Sequence, residues 1–279
     1  MTFRTVSAIP GGVSRRALLG LAAAAALAAA SPGGAGQALA AQKTLKVGVS
    51  AGPYGDILAE AAKIVAKDGL KVEVVEFSDW NLPNAAVESG DIDFNAFQHT
   101  PYLDNQVKAR GYHIVPLETA IVVPAGLYSS KHRSKDAIPD GAVIAIPNDP
   151  SNAARALFLA QQAGLIRLRP GADVDATLAD IAENPKKLKF RELDAAQLAR
   201  SLDDVDVAWV SSNYAHLAGL KLQDALEAEK QDSKWALVFA ARADRKDDPD
   251  IRRFIAAYRS EPVRAFILER FKGSILPAF

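Results

Sequence analysis

Asp91-Ile92-Asp93-Phe94-Asn95-Ala96-Phe97-Gln98-His99-Thr100-Pro101-Tyr102-Leu103 is the stretch whose reading decides the fold. Alternation of Asp91, Ile92, Asp93 and Phe94 predicts a short strand, and the crowd of Asn, Phe, Gln and His after it predicts a turn. Thr100 and Pro101 then have the chemistry of an N-cap and a first helical position. Strand-to-helix edges of this kind are where open α/β sheets hold ligands.

The same alternation of strand and helix extends on both sides. Leu45 to Val49 reads as a strand, Ala51 to Gly55 as the turn after it, and Ile57, Leu58, Ala61, Ile64 and Val65 fall at helical spacing before Gly69. Strands at Val72 to Phe77 and Tyr112 to Leu117 flank the central stretch, which implies a mostly parallel sheet. Past Thr119 the chain is extended and broken by Pro124 and Gly126, as expected of a crossing into a second lobe. That lobe is expected to hold strands at Ala142 to Ile146, Leu188 to Arg191 and Val205 to Val210. Its helices are expected at Pro150 to Ala163 and Ala195 to Leu202, with a shorter one within Asp173 to Asn184. Trp235 to Ala241 would return the chain, and helices from Asp250 and Pro262 would pack on the first lobe. The expected fold is therefore α/β and two-lobed: 41–122 and 237–279 form one lobe, 123–236 the other, and two crossing strands leave a hinged cleft between them.

Residues 1–40 carry Arg4, Arg15 and Arg16, no acid, and the thirteen-residue apolar run Leu18 to Ala30. A span needs about 20 residues, so the run reads as a cleaved signal peptide. Ser14-Arg15-Arg16-Ala17-Leu18-Leu19 is similar to a twin-arginine export motif, and Ala38-Leu39-Ala40 offers small residues for cleavage before Ala41. The expected product is soluble and periplasmic, or otherwise outside the cytoplasmic membrane. With no cysteine in the chain, disulfides, thiolate metal sites, a cysteine nucleophile and a thioether-linked lipid are excluded. Without its leader the chain is mildly acidic, which argues against a nucleic-acid partner, since that would need a basic face.

Arg155 is the first candidate for ligand contact. Asp149 and Pro150 read as the start of a helix whose free N–H groups and positive dipole end face outward, and Arg155 lies about one and a half turns further in. A guanidinium there suits a carboxylate; the plainer reading pairs it with a neighbouring acid. Trp80, Phe97, His99 and Tyr102 gather near one sheet edge and could wall an apolar ligand, or could simply be core. The four histidines, His99, His113, His132 and His216, show no metal-ligand spacing, so neither metal nor cofactor is expected. There is no nucleophile elbow, no thiol and no histidine pair, so an enzyme using the same cleft is the weaker expectation.

Several segments carry a family resemblance: Leu82-Pro83-Asn84, Gly90-Asp91-Ile92-Asp93, Asn95-Ala96-Phe97-Gln98-His99, Pro101-Tyr102-Leu103-Asp104, Pro147-Asn148-Asp149-Pro150-Ser151-Asn152 with Arg155, and Ser201-Leu202-Asp203-Asp204. In this order they resemble the methionine-binding, NlpA-type solute-binding proteins of bacterial ABC importers. The resemblance implies a periplasmic binding-protein fold of type II kind, a small-molecule ligand, an ABC permease and ATPase as partners, and no catalysis. It also implies that Arg155 holds the ligand carboxylate, that Asn152 belongs to the same site, and that Trp80, Phe97, His99 and Tyr102 line the side-chain pocket. Two positions depart from the family pattern. Where the family has a head-group asparagine this chain has Ser211, with Asn213 two residues on, and where the returning strand has a second asparagine it has Leu237. These departures leave methionine, another amino acid, an N-substituted derivative and a short peptide open as ligands. A monomer is the default for a cleft that opens and closes. A ligand-reporting partner of a membrane sensor, or an exported surface antigen, would use the same fold without a permease.

Overall fold

The computed structural model describes residues 44–230 and 233–279; the export segment expected over residues 1–40 lies outside the described residues. In chain order the first elements are β1 (Leu45–Ser50), α1 (Tyr54–Ala66), β2 (Val72–Phe77), α2 (Leu82–Ser89), β3 (Phe94–His99), α3 (Thr100–Arg110) and β4 (Ile114–Thr119). The short β5 (Ile121–Val122) leads to β6 (Ala125–Tyr128), β7 (Val143–Pro147), α4 (Pro150–Gln162), β8 (Arg167–Leu168), β9 (Ile181–Glu183) and β10 (Lys189–Leu193). Then come β11 (Val207–Ser211), α5 (Ser212–Leu217), β12 (Glu227–Ala228), β13 (Leu237–Arg242), α6 (Pro249–Tyr258), α7 (Glu261–Phe271) and β14 (Leu276–Pro277).

Two five-stranded sheets result. The first has the order β2-β1-β3-β13-β4, and the returning β13 runs antiparallel between β3 and β4. The second has the order β10-β7-β11-β6-β12, parallel through β10, β7 and β11 and antiparallel at β6 and β12. Each sheet has its own core. Phe94, Phe239, Phe254, Ile57 and Tyr258 are buried around the first, with the Phe94 ring 5.4 Å from Phe254 and 6.2 Å from Phe239. Trp209, Leu127, Ile144, Leu157 and Leu198 are buried around the second. Each large apolar side chain removed from water in these cores contributes about 1.5–3 kcal/mol. This is the two-lobed α/β fold, with the chain crossing between lobes before β6 and again before β13.

The central stretch folds differently from its expected pattern. The strand is not Asp91 to Phe94 but β3, whose six residues are all buried, while Asp91 to Asp93 form the bend before it. Neighbours β1 and β13 flank β3 and both its faces are covered, so polar–apolar alternation is not required of it. Its polar residues are instead satisfied by each other. Asn84 Nδ2 donates to Gln98 Oε1 at 2.7 Å, while Asn95 Nδ2 and Gln98 Nε2 donate to Asn84 Oδ1 at 2.9 and 2.6 Å. This buried trio ties β3 to the first turn of α2, a helix that Pro83 starts and that the sequence pattern did not announce. The N-cap of α3 is His99 rather than Thr100: its ring nitrogen Nδ1 accepts the Tyr102 backbone N–H at 3.1 Å.

Three further expectations are corrected in the second lobe and at its return. The helix expected within 173–184 is a single 3-10 turn, Leu178–Asp180, followed by β9, which pairs with β8. The segment 195–202 forms two 3-10 turns, Ala195–Gln197 and Arg200–Asp203, in place of one helix. Asp194 caps the first of them by accepting the Ala196 N–H, which locks a tight turn where side-chain periodicity alone suggested a helix. Trp235 sits in a 3-10 turn ahead of β13 rather than inside it.

Candidate functional site

Four strands of the two sheets, β1, β3, β7 and β11, end facing the gap between lobes, and the helix after each, α1, α3, α4 and α5, begins there. One cavity, with about 350 Å³ of empty space when the open solvent at its mouth is included, lies among these helix starts. Its walls include Tyr54 from the start of α1, His99 from the end of β3 and Tyr102 from α3, Asn152 and Arg155 from α4, and Ser211 from the end of β11 and Asn213 from α5. Trp80, Phe97, Gln98, Val123 and Leu237 complete it. All eight residues singled out from the sequence therefore meet at one place. Helix N-termini favour negative charge, so this end of the cavity suits a carboxylate.

Arg155 is 4% exposed and carries both of the readings weighed for it. Its Nε donates to Glu229 Oε1 at 2.7 Å, and its Nη2 donates to Glu229 Oε2 at 2.5 Å and to the Val123 carbonyl at 2.8 Å. Its Nη1 has no acceptor among the described residues, which leaves that edge of the guanidinium free for a ligand. Trp209 and Trp235 approach the same guanidinium at 5.7 and 5.3 Å from their ring centres. Asp149 caps α4 as the sequence predicts, accepting the Asn152 backbone N–H at 2.9 Å. Burial pushes the Asp149 carboxyl up, against the hydrogen bonds from Asn152 and Ser151 that hold it down.

The aromatic wall is built across the gap. Trp80 lies 6.2 Å from Tyr102, edge on, and 5.3 Å from Tyr214 of the other lobe. Tyr102 Oη donates to the Trp80 carbonyl at 2.8 Å, and Tyr214 Oη donates to the Ser78 carbonyl at 3.2 Å. Phe97 packs edge on against Tyr102 at 5.9 Å. The lobes thus touch through Trp80, as in a closed cleft. Gly52, in the turn before α1, has φ +127, and a side chain there would press on Asn213 at 3.3 Å. Its backbone freedom lets the two lobes approach this closely.

The His99 ring makes two hydrogen bonds to the protein. With Nδ1 accepting from Tyr102, the neutral ring carries its proton on Nε2 and donates to Asn152 Oδ1 at 3.1 Å, a bond between lobes. Burial holds its pKa down to about 3, and the nearby Arg155 charge adds to the effect. The unfolded chain's imidazole takes up a proton below about pH 6.5. Between these values the unfolded state binds more protons, so His99 lowers stability as pH falls, by up to about 1.4 kcal/mol per unit. Urea unfolding at pH 7, 6 and 5 is expected to show this slope in the wild type and a flatter one in His99→Gln. Equal slopes would mean that His99 is charged in the folded protein.

Two polar atoms of the cavity walls are buried without a hydrogen-bond partner among the described residues: Tyr54 Oη and Asn213 Nδ2. Unpaired buried donors cost about 1–3 kcal/mol each, so they mark where ligand oxygens would be held. Asn213 Oδ1 accepts from Ser211 Oγ at 2.7 Å, so the residue at the family's asparagine position and its neighbour act together. Leu237 pairs with His99 across β13 and β3 and gives the cavity an apolar floor. Sequence reasoning missed Tyr54, Gln98 and Glu229. Tyr54 follows the first strand of a parallel sheet, the one local signal that could have flagged it. Among the described residues no cluster of His, Asp or Glu could hold a metal ion, and no helix is long and apolar enough to cross a membrane.

Two α/β lobes that close on a small cavity ringed by helix starts, with a buried arginine and an aromatic wall, define a solute-binding protein. The chain belongs to the NlpA lipoprotein family, whose pattern matches residues 45–279. It is 44% identical over 234 residues to the D-methionine-binding lipoprotein MetQ of Escherichia coli K12, covering 82% of this chain and 86% of that protein. It is 43% identical to outer membrane lipoprotein 1 of Mannheimia haemolytica, covering 83% and 85% of the two chains. Among solved structures, a nutrient binding protein from Burkholderia cenocepacia bound to methionine is 49% identical, with a TM-score of 0.80 over 84% of this chain and 100% of that one.

Proposed function

We propose that this chain is the extracytoplasmic binding protein of an ABC importer and that it holds methionine, or a related amino acid or derivative, in the interlobe cavity. The observation that carries the reading is the meeting of unspent donors with an aromatic wall in one small cavity. Arg155 Nη1, Asn213 Nδ2 and Tyr54 Oη offer hydrogen bonds to a carboxylate end, while Trp80, Phe97 and Tyr102 offer faces to which a thioether is well suited. The relatives named for methionine support this ligand class. Asn152 shapes the site through His99, and Ser211 through Asn213.

In this reading residues 41–122 and 237–279 form one lobe and 123–236 the other. The protein works as a soluble periplasmic monomer after removal of residues 1–40, and it hands its ligand to a permease with its ATPase. The ligand favours the closed form only by binding it more tightly than the open one. Leu237 supports a second reading of the same site, in which the ligand is a different carboxylated compound, because an apolar side chain there offers nothing to a charged head group.

Mass spectrometry on ligand extracted from natively purified protein, followed by incubation of refolded protein with isotope-labelled methionine, tests the proposal. One small amino acid or derivative per chain, and label recovered unchanged, is the expected result. Chemical conversion of the label would mean an enzyme instead.

A further inference from the structure

We infer that Glu229 is a specificity-determining residue that sets the charge balance of the cavity for a net-neutral, zwitterionic ligand and against anionic analogues of the same shape; this rests on the function proposed above. Among the described residues Arg155 is the one cationic residue of the cavity wall, and Glu229 engages it through two parallel contacts at 2.7 and 2.5 Å. Both side chains are almost fully buried, at 4% and 9% exposure. Glu229 also accepts the Ala125 backbone N–H at 2.7 Å, at the point where the chain crosses into the second lobe, so its position is fixed by the fold rather than by the ligand.

The carboxylates of Asp149, Asp79 and Asp194 also bear on the cavity wall at Tyr102 and add to the cost of a further negative charge there. His99 donates to Asn152 as a neutral ring, and Asp149 is spent on the α4 N-cap, accepting from Ser151 and from both nitrogens of Asn152. With Arg155 cancelled by Glu229, a zwitterion adds no net charge to a buried site. A monoanion would leave one uncompensated negative charge there, which is costly in a desolvated interior. Without Glu229 the sign reverses: Arg155 and the convergent helix starts would form a cationic pocket that favours the anion. Glu229 lies 74 residues from Arg155 in the chain, and no feature of its neighbourhood in the sequence marks it.

The test compares L-methionine with 4-methylthio-2-oxobutanoate, which keeps the carboxylate and thioether but lacks the ammonium, in calorimetric titrations of wild type and Glu229→Gln. Wild type is expected to bind methionine at least about ten-fold more tightly than the oxo acid. In Glu229→Gln that ratio is expected to fall by at least about ten-fold, from loss of methionine affinity, gain of oxo-acid affinity, or both. A purely structural role would weaken both ligands equally, and an unchanged ratio would overturn the inference while leaving the binding function in place. Should Glu229→Gln not fold, the wild-type ratio still decides, since a ratio below ten-fold contradicts a site balanced for zwitterions. Failure of both ligands to bind the wild type would remove the proposed function and this inference with it.

Discussion

Arg155→Ala is expected to weaken methionine binding by about 2–4 kcal/mol and to destabilise the protein by about 3–5 kcal/mol. The two losses have separate causes. Binding is lost because the free Nη1 edge no longer meets a carboxylate in a desolvated cavity. Stability is lost because Glu229, 9% exposed, is left without its ion-pair partner, with only the Ala125 N–H still donating to it. For a domain of this size each kcal/mol moves the melting temperature by about 2–4 °C, so a fall of roughly 10 °C is expected in a thermal scan. The double variant Arg155→Ala/Glu229→Ala separates the effects: it is expected to recover much of the stability and none of the methionine affinity. Stability lost without any loss of affinity would make Arg155 a structural residue only.

Trp80→Ala is the second large effect expected, a loss of about 2–4 kcal/mol in methionine affinity. Trp80 follows β2 in one lobe, yet its ring lies 5.3 Å from Tyr214 in the other and packs on the second core. Removing it takes away both a wall of the cavity and an aromatic contact between the lobes. The wall acts only on ligands with a side chain, while closure acts on all of them. Titration with methionine and with glycine distinguishes the two, and methionine is expected to lose at least about ten-fold more than glycine. Equal losses would confine Trp80 to closure.

Much of this site was legible because its residues stand at local signals. Asp149 and Pro150 announce the start of α4, and once that helix is placed Arg155 falls where it is found. Phe97, His99 and Tyr102 bracket the start of α3 in the same way. What could not be read depends on distant partners. β3 was displaced by three residues in the sequence reading because Asn95 and Gln98 have the composition of a turn. Only their enclosure with Asn84, from a helix start 11 residues before Asn95, makes them core. The 3-10 turns at 195–203 follow from Asp194 and from close packing, which side-chain periodicity does not encode. Tyr54 and Glu229 reach the cavity and its arginine through the topology alone, one from the turn after the first strand and the other from the second crossing. Leu237 was noticed only as a departure from a family pattern; the structure gives it a place, paired with His99 under the ligand space.

In the proposed function the interlobe cavity binds a methionine-like amino acid through Arg155. Calorimetric titration of refolded, ligand-free protein with L-methionine, D-methionine and a small panel of other amino acids and dipeptides tests it most directly, refolding serving to strip any ligand retained through purification. One site per chain, saturable binding by at least one methionine stereoisomer, and loss of that binding in Arg155→Ala are expected. Binding of dipeptides or unrelated amino acids with no response to either methionine, or methionine binding indifferent to Arg155, would contradict the proposed function.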